Sequence, residues 1–152
     1  MRLDTVNAPE PDPVIQFSIF AENRIGRLNE VMTLLANDEI SIAALATFDM
    51  TDIAVMRVVV NYPESARKTL SRMGLFFEEH PVLAMEIDSE ADLKTVTGSL
   101  MGAEINIYYI YPMMMRPHGK IGLILSTEDS LLSTQVLECQ GYRTLCQTDI
   151  AR

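Results

Sequence analysis

Two stretches of this sequence follow the same pattern at a constant distance of 65 residues. Residues 21–42 read AENRIGRLNEVMTLLANDEISI, and residues 88–107 read DSEADLKTVTGSLMGAEINI. The aligned positions are Asn23 with Asp88, Gly26 with Ala91, Leu28 with Leu93, Val31 with Val96, Leu35 with Leu100, Ile40 with Ile105, and Ile42 with Ile107. A constant offset over a whole supersecondary unit indicates an internal duplication. The chain should therefore fold as two similar units.

The periodicity of apolar residues gives the same order of elements in each half. The predicted strands are Val14–Ala21, Ile40–Met50, Ile53–Val60 and Leu75–Glu79 in the first half, and Val82–Ile87, Ile105–Met115, Ile121–Leu125 and Tyr142–Gln147 in the second. The predicted helices cover 28–35, 63–73, 93–101 and 128–139. Each half reads βαββαβ, which predicts an α+β fold: two ferredoxin-like units, each an antiparallel sheet with both helices on one face. We expect domains at residues 14–80 and 81–150.

Size and charge restrict how these units can work. A unit of about 70 residues has a marginal core, so the halves should pack side by side into one continuous sheet, and two chains should form a homodimer. The formal net charge is −9, and no block of Lys or Arg is present, which argues against binding to nucleic acid or to a membrane. Three prolines within Met1–Pro13 predict an extended arm, with a disordered terminus as the alternative. The acidic, proline-rich start does not have the pattern of a signal peptide. Cys139 and Cys146 are interpreted as buried thiols of a cytoplasmic protein.

The loop before the first helix carries the candidate ligand-binding residues, which are Asn23, Arg24, Ile25, Gly26, Arg27 and Leu28. A glycine turn into a helix presents free backbone N–H groups at the positive end of the helix dipole, which suits a carboxylate. Asn23 offers a donor and an acceptor, and the two arginines add positive charge. The alternatives stay open: Asn23 and Gly26 can be pure turn residues, and the arginines can be solvated or pair with Glu22 and Glu30.

Other polar and aromatic residues give weaker signals. His80 and His118 adjoin prolines and are expected to be exposed in turns, so we predict no metal site. Met113, Met114 and Met115 can line a pocket or partner surface, or pack in the core. Tyr108, Tyr109 and Tyr111 alternate along one strand, and at least one should lie at a domain or subunit interface. The sequence contains no GxSxG, P-loop, GxGxxG or HExxH motif, so we assign no catalytic residue and no cofactor.

The N-x-x-G-x-L loop (Asn23, Gly26, Leu28), the amphipathic helix after it and ISI at residues 40–42 resemble an ACT domain. The second half, with INIYYIY at 105–111, is similar to the later module of stand-alone tandem ACT proteins, some of them labelled acetolactate synthase regulatory subunits. The resemblance covers residues 14–150. It implies a βαββαβ module that binds an amino acid and regulates an enzyme of amino-acid metabolism. Ala91 replaces the loop glycine in the second copy, Glu90 replaces the usual proline there, and Ile25 replaces that proline in the first copy.

Three functions remain open at this point. The first is a non-catalytic regulatory protein that binds an amino acid at the first loop and acts on a larger metabolic enzyme subunit. The second is a dimerising scaffold or regulatory subunit whose ligand site has decayed, which the changes at Glu90 and Ala91 favour. The third is a small enzyme, because ferredoxin-like folds host unrelated chemistries. We favour the first and expect one site per chain, completed by residues of a neighbouring unit.

Overall fold

The computed structural model describes residues 12–151, so most of the predicted arm Met1–Pro13 lies outside the described residues. The first unit contains β1 (Val14–Glu22), α1 (Arg27–Asn37), β2 (Ile42–Met50), β3 (Ile53–Val60), α2 (Pro63–Arg72) and the first part of β4 (Phe76–Ile87). The second unit contains the rest of β4, then α3 (Asp92–Gly102), β5 (Ile107–Pro112), β6 (Ile121–Thr127), α4 (Ser130–Cys139), β7 (Thr144–Leu145) and the short helix α5 (Gln147–Ile150). Two βαββαβ units in an α+β fold are therefore confirmed.

The duplication is visible in how the first helix of each unit ends. α1 and α3 are both 11 residues long. Each is followed by a glutamate with positive φ, 59° at Glu39 and 58° at Glu104. In both copies the next amide donates to a carbonyl five residues earlier, at 2.9 Å from Ile40 and 3.0 Å from Ile105. The repeated sequence thus encodes the same helix ending twice.

The strands form one continuous antiparallel sheet in the order β2-β3-β1-β4-β6-β5, with β7 also paired to β4. Residues 76–82 of β4 pair with β1, and residues 83–87 pair with β6. The two strands predicted over 75–79 and 82–87 are therefore one strand, and Pro81 lies inside it close to the point where β4 changes its partner. The prediction that the halves share one sheet is confirmed.

Each unit packs its helices on one face of the sheet. In the first unit Phe17 and Ile19 of β1 pack with Leu35 and Leu70 of the helices. In the second unit, β4 and β6 pack in the same way against α3 and α4. Because side chains alternate along a strand, the residues between these positions face away from the helices. We call that side the helix-free face.

The helix-free faces of the two units pack against each other and form a third core. Val14 and Val59 of the first unit lie there with Ala84 and Ile124 of the second. The fully buried side chain of Gln16 joins the two units by hydrogen bonds. Its Nε2 donates to the Tyr109 hydroxyl at 2.7 Å, and its Oε1 accepts from the Tyr111 hydroxyl at 2.6 Å. Burial raises the pKa of Tyr111. The prediction that a tyrosine of this strand lies at a domain interface is confirmed.

The end of the chain differs from its prediction. A strand was expected over 142–147, but β7 has two residues and α5 follows it. The reason is a local cap: the amide of Cys146 donates to Oδ2 of Asp149 at 2.8 Å, so the chain turns into a helix there. The prediction of two buried thiols is wrong, because Cys139 at the end of α4 is exposed and Cys146 is partly exposed.

The histidines also depart in part from expectation. His80 is exposed but lies within β4 rather than in a turn, because the proline after it does not end the strand. His118 does lie in a turn, with a positive φ of 52°. Its Nδ1 contacts the carboxylate of Glu86, which is only 4% exposed. His118 therefore links the β5–β6 connection to a buried acid.

The methionines divide between the outcomes that the sequence left open. Met113 is buried in the core between the units, Met114 is exposed, and Met115 is partly buried against the same core.

Within residues 12–151, no helix is long and apolar enough to cross a membrane.

Candidate functional site

Gly26 turns the chain from β1 into α1 with φ +85° and ψ −6°, a left-handed conformation that suits glycine. No side chain caps the helix. Within the described part of the chain, the amides of Gly26, Leu28 and Asn29 donate to no acceptor. Three N–H groups at a helix N-terminus are therefore free to meet an anion.

A cleft of about 370 Å³ lies beside this loop, between α1 and the hairpin of β2 and β3. Its lining residues are Glu22, Asn23, Arg24, Arg27, Leu28, Thr47, Phe48, Asp49, Ala54 and Met56. All of them belong to the first unit. The second unit of the same chain does not line the cleft, so the expected completion by a neighbouring unit would have to come from another chain.

Asn23 ties the loop to the hairpin. Its side-chain Nδ2 donates to Oδ1 of Asp49 at 2.8 Å and to the carbonyl of Thr51 at 3.1 Å. Its backbone amide donates to the carbonyl of Asp52 at 3.0 Å. Asn23 therefore acts as the turn residue that the sequence allowed, and it holds one wall of the cleft against the other.

Glu30 pairs with both arginines of the loop. Arg24 donates to its two carboxylate oxygens at 3.1 Å each, and Arg27 Nη1 donates to Oε2 at 2.8 Å. The hydrogen bonds from Arg24 and then Arg27 lower the pKa of Glu30, and the hydrogen bond to Glu30 raises the pKa of Arg24. The pairing that the sequence left open is thus present. Such exposed pairs contribute little to stability, and they can be exchanged for a ligand at small cost.

Arg27 keeps one donor unused. Its side chain is 24% exposed, and its Nε is buried without a partner among the described residues. A buried donor without an acceptor is costly, by about 1–3 kcal/mol. Leu28 lies partly exposed beside it, whereas Ile25 is fully exposed and does not line the cleft.

The equivalent loop of the second unit has a different conformation. Ala91 has φ −62° and ψ −25°, an ordinary helical geometry. Oδ2 of Asp92 accepts from the amides of Asp88 at 2.9 Å and Ser89 at 3.2 Å, and these bonds lower the pKa of Asp92. Oδ1 of Asp92 accepts from the Tyr142 hydroxyl at 3.2 Å. Asp92 therefore occupies the amides of Asp88 and Ser89, which align with those of Asn23 and Arg24 in the first loop.

Some residues that shape these loops were missed in the sequence. Asp92 had a signal, because Ser89 followed three residues later by an acid is a helix-capping pattern. Phe48, Asp49 and Met56 had none, since they reach the cleft only through the β2–β3 hairpin. Within residues 12–151, no group of three or more His, Cys, Asp or Glu side chains is arranged to hold a metal ion.

Comparison with known proteins gives a family and a fold. The family model described as an ACT domain pair matches residues 13–150. No curated protein is similar enough in sequence to match. Protein BT0572 from Bacteroides thetaiotaomicron has a similar structure, with 24% identity, a TM-score of 0.84, and coverage of 93% of this chain and 98% of that one.

Two further solved structures share the fold at lower identity. The ligand-free regulatory subunit of aspartate kinase from Thermus thermophilus is 13% identical with a TM-score of 0.61, covering 84% of this chain and 91% of that one. Aspartokinase III of E. coli, in complex with aspartate and ADP, is 17% identical with a TM-score of 0.53, covering 84% of this chain and 32% of that one. The family model spans both units, and the topology of each unit agrees with it. The chain therefore belongs to the ACT domain pair family.

Proposed function

We propose that this chain is a non-catalytic regulatory protein that binds an amino acid at the β1–α1 loop of its first unit, residues 23–28. The observation that carries the proposal is the set of free amides at Gly26, Leu28 and Asn29 beside a cleft lined by Arg27, whose buried Nε has no partner among the described residues. These groups offer what a carboxylate needs. The proposed function assigns no catalytic residue and no cofactor.

The cleft also offers partners for the rest of an amino acid. Glu22 and Asp49 bring carboxylates that can accept from an α-ammonium group. Leu28, Ala54 and Met56 give an apolar wall for a side chain. A volume of about 370 Å³ lies within the usual range of small-molecule sites. The cleft thus suits a zwitterion better than a simple anion.

The neighbours of known role support the regulatory part of the proposal. One is a regulatory subunit of aspartate kinase, and another is an aspartokinase in complex with aspartate. We propose that this chain likewise controls an enzyme of amino-acid metabolism, as a partner of a larger catalytic subunit. A ligand site coupled to such a partner typically changes its affinity by about 1–3 kcal/mol.

We also propose that two chains form a homodimer, with domains at residues 14–80 and 81–150. The cleft is lined by one unit only and is open to solvent, so a second chain can complete it. Sedimentation equilibrium at micromolar concentration should give the mass of two chains. A mass of one chain of 17.0 kDa would rule the dimer out.

The test of the ligand site is a thermal-shift screen of the common amino acids, followed by calorimetric titration. A ligand at a hundredfold excess over its Kd stabilises the folded protein by about 2.7 kcal/mol, which a melting curve detects. Gly26→Ala should abolish binding, because a Cβ at the left-handed position shifts the loop and crowds the approach to its amides. Ala91→Gly is the matched control and should bind normally. Normal binding by Gly26→Ala would refute the assignment.

One observation favours the second candidate, a dimerising scaffold whose ligand site has decayed. Glu30 already pairs with Arg24 and Arg27, so the chain supplies its own acid to the loop arginines. On this alternative no amino acid raises the melting temperature, while the dimer and its association with a larger enzyme persist. The screen therefore separates the two functions.

A further inference from the structure

The outer strands β2 and β5 meet at one end and separate at the other. Ala44 and Met113 form an isolated antiparallel bridge, and the amide of Met114 donates to the carbonyl of Ala43 at 2.7 Å. If this register continued, Phe48 of β2 would lie opposite Tyr109 of β5. The bridge is isolated, so the pairing stops before that point.

The side chain of Arg57 occupies the place where the pairing would have continued. Its guanidinium carbon lies 4.5 Å from the centroid of the Phe48 ring and 3.6 Å from the centroid of the Tyr109 ring. A guanidinium stacked on aromatic rings is held in orientation by cation–π and packing contacts. Arg57 is thus a fixed wedge between the two units.

A groove of about 450 Å³ opens beside this arginine on the helix-free face. The first unit contributes Ser18, Phe20 and Val55 to its walls, and the second contributes Tyr108 and Ser126. The cleft at Asn23–Leu28 lies on the opposite face of the β2–β3 hairpin, because Ala54 and Met56 alternate with Val55 and Arg57 along β3. The groove therefore opens on the other face of the hairpin, and Phe48 is the one lining residue that the two cavities share.

The charge of Arg57 is not neutralised by the described part of the chain. The salt bridges there join other groups. Glu78 also lines the groove, but its Oε2 contacts Nε2 of His80 at 3.2 Å. The planar guanidinium thus keeps its N–H donors available to a ligand, in the fork geometry that matches a carboxylate.

We propose that this groove binds a small aromatic carboxylate, with the carboxylate on the N–H donors of Arg57 and the ring against Phe20 and Tyr108. A phosphate or dicarboxylate would call for a second free cation, whereas the groove contains one arginine, no lysine, and His80, whose Nε2 already contacts Glu78. An organic cation would be repelled by Arg57. The aromatic walls favour a flat ring, since offset and edge-to-face contacts add to the area buried. This site is independent of the proposed amino-acid cleft.

The test uses 3-phenylpropionate as the probe and 3-phenylpropan-1-ol as its uncharged analogue. In heteronuclear NMR of the wild-type protein, 3-phenylpropionate should cause saturable shifts at the Nε–H of Arg57 and at the amides of Ser18 and Tyr108. The uncharged alcohol should not cause them. The absence of shifts at millimolar probe, or shifts confined to residues 22–28, would overturn the proposal. Equal binding of the alcohol would do so too, because the arginine would then be unnecessary.

Charge variants sharpen the result. Arg57→Gln should lower the affinity for 3-phenylpropionate by about tenfold or more, because the charge-assisted hydrogen bonds are lost. Arg72→Gln removes an equal charge from an exposed arginine of α2 that pairs with Asp38, and it should bind as the wild type does. Unchanged affinity in Arg57→Gln would refute the site. If Arg57→Gln fails to fold, the wild-type shifts decide the question.

Two further arms distinguish this groove from the amino-acid cleft. Gly26→Ala should bind 3-phenylpropionate normally, since the loop lies on the other face of the hairpin. L-phenylalanine should give the same shifts at Arg57, because it has the same ring and carboxylate. Binding of L-phenylalanine at Arg57 without binding of 3-phenylpropionate would refute the proposed ligand class, since the ammonium group would then be essential.

Discussion

Reciprocal substitutions at Gly26 and Ala91 should both destabilise the protein, although they are opposite changes at equivalent positions. Gly26 has φ +85°, and a Cβ built there meets no atom within 4 Å. The cost of Gly26→Ala therefore comes from the backbone conformation alone, about 1–2 kcal/mol. Ala91 has φ −62°, where alanine fits, so Ala91→Gly costs about 0.5–1 kcal/mol through the entropy of the unfolded chain.

Urea denaturation followed by circular dichroism measures both changes in the free energy of unfolding. In a thermal melt of a protein of this size, a loss of about 1 kcal/mol lowers the melting temperature by about 2–4 °C. Gly26→Asn is the discriminating variant, because asparagine tolerates the left-handed region better than alanine does. It should lose less stability than Gly26→Ala. A Gly26→Ala protein as stable as the wild type, or an asparagine variant less stable than the alanine variant, would refute the assigned loop conformation.

Three other outcomes follow from the described contacts. Gln16→Leu should lower the free energy of unfolding in urea by about 1–3 kcal/mol, because the buried Tyr111 hydroxyl loses its acceptor; a neutral change would contradict this. The pKa of Asp92 is lowered, so its stabilisation is complete above the ordinary aspartate value of about 3.9 and is lost as pH falls through the lower folded value. The melting temperatures of wild type and Asp92→Asn should therefore differ at pH 7 and converge toward pH 3, and a gap that widens in acid would refute it. Iodoacetamide should label the exposed Cys139 before Cys146 in the native protein, as peptide mass spectrometry can check; the reverse order would contradict the exposures.

The fold could be predicted from the sequence because the repeat constrains the whole chain. An offset of 65 residues places two copies of the same strand–loop–helix unit, and the apolar periodicity supplies the order of the other elements. Two local signals were misleading. Pro81 suggested a strand break, although β4 tolerates it where its partner changes. The last strand was extended too far, since the cap from Asp149 to Cys146 was not recognised.

The candidate site could be predicted only where it is local in sequence. The glycine turn and its positive φ follow from the loop itself. Asp49 and Met56 enter the cleft through strand pairing, so no spacing in the sequence indicates them. The position of Arg57 depends on the packing of the two helix-free faces, which no pattern within either copy encodes.

The most direct test of the amino-acid site is electron density from crystals grown with the amino acid that stabilises the protein most. We expect one molecule per chain, with its carboxylate within hydrogen-bonding distance of the Gly26 and Leu28 amides. We expect none at residues 88–92, where Ala91 lacks the left-handed turn and Asp92 accepts from the amides of Asp88 and Ser89. A ligand bound at residues 88–92, or at both loops, would contradict the account of one functional site in the first unit.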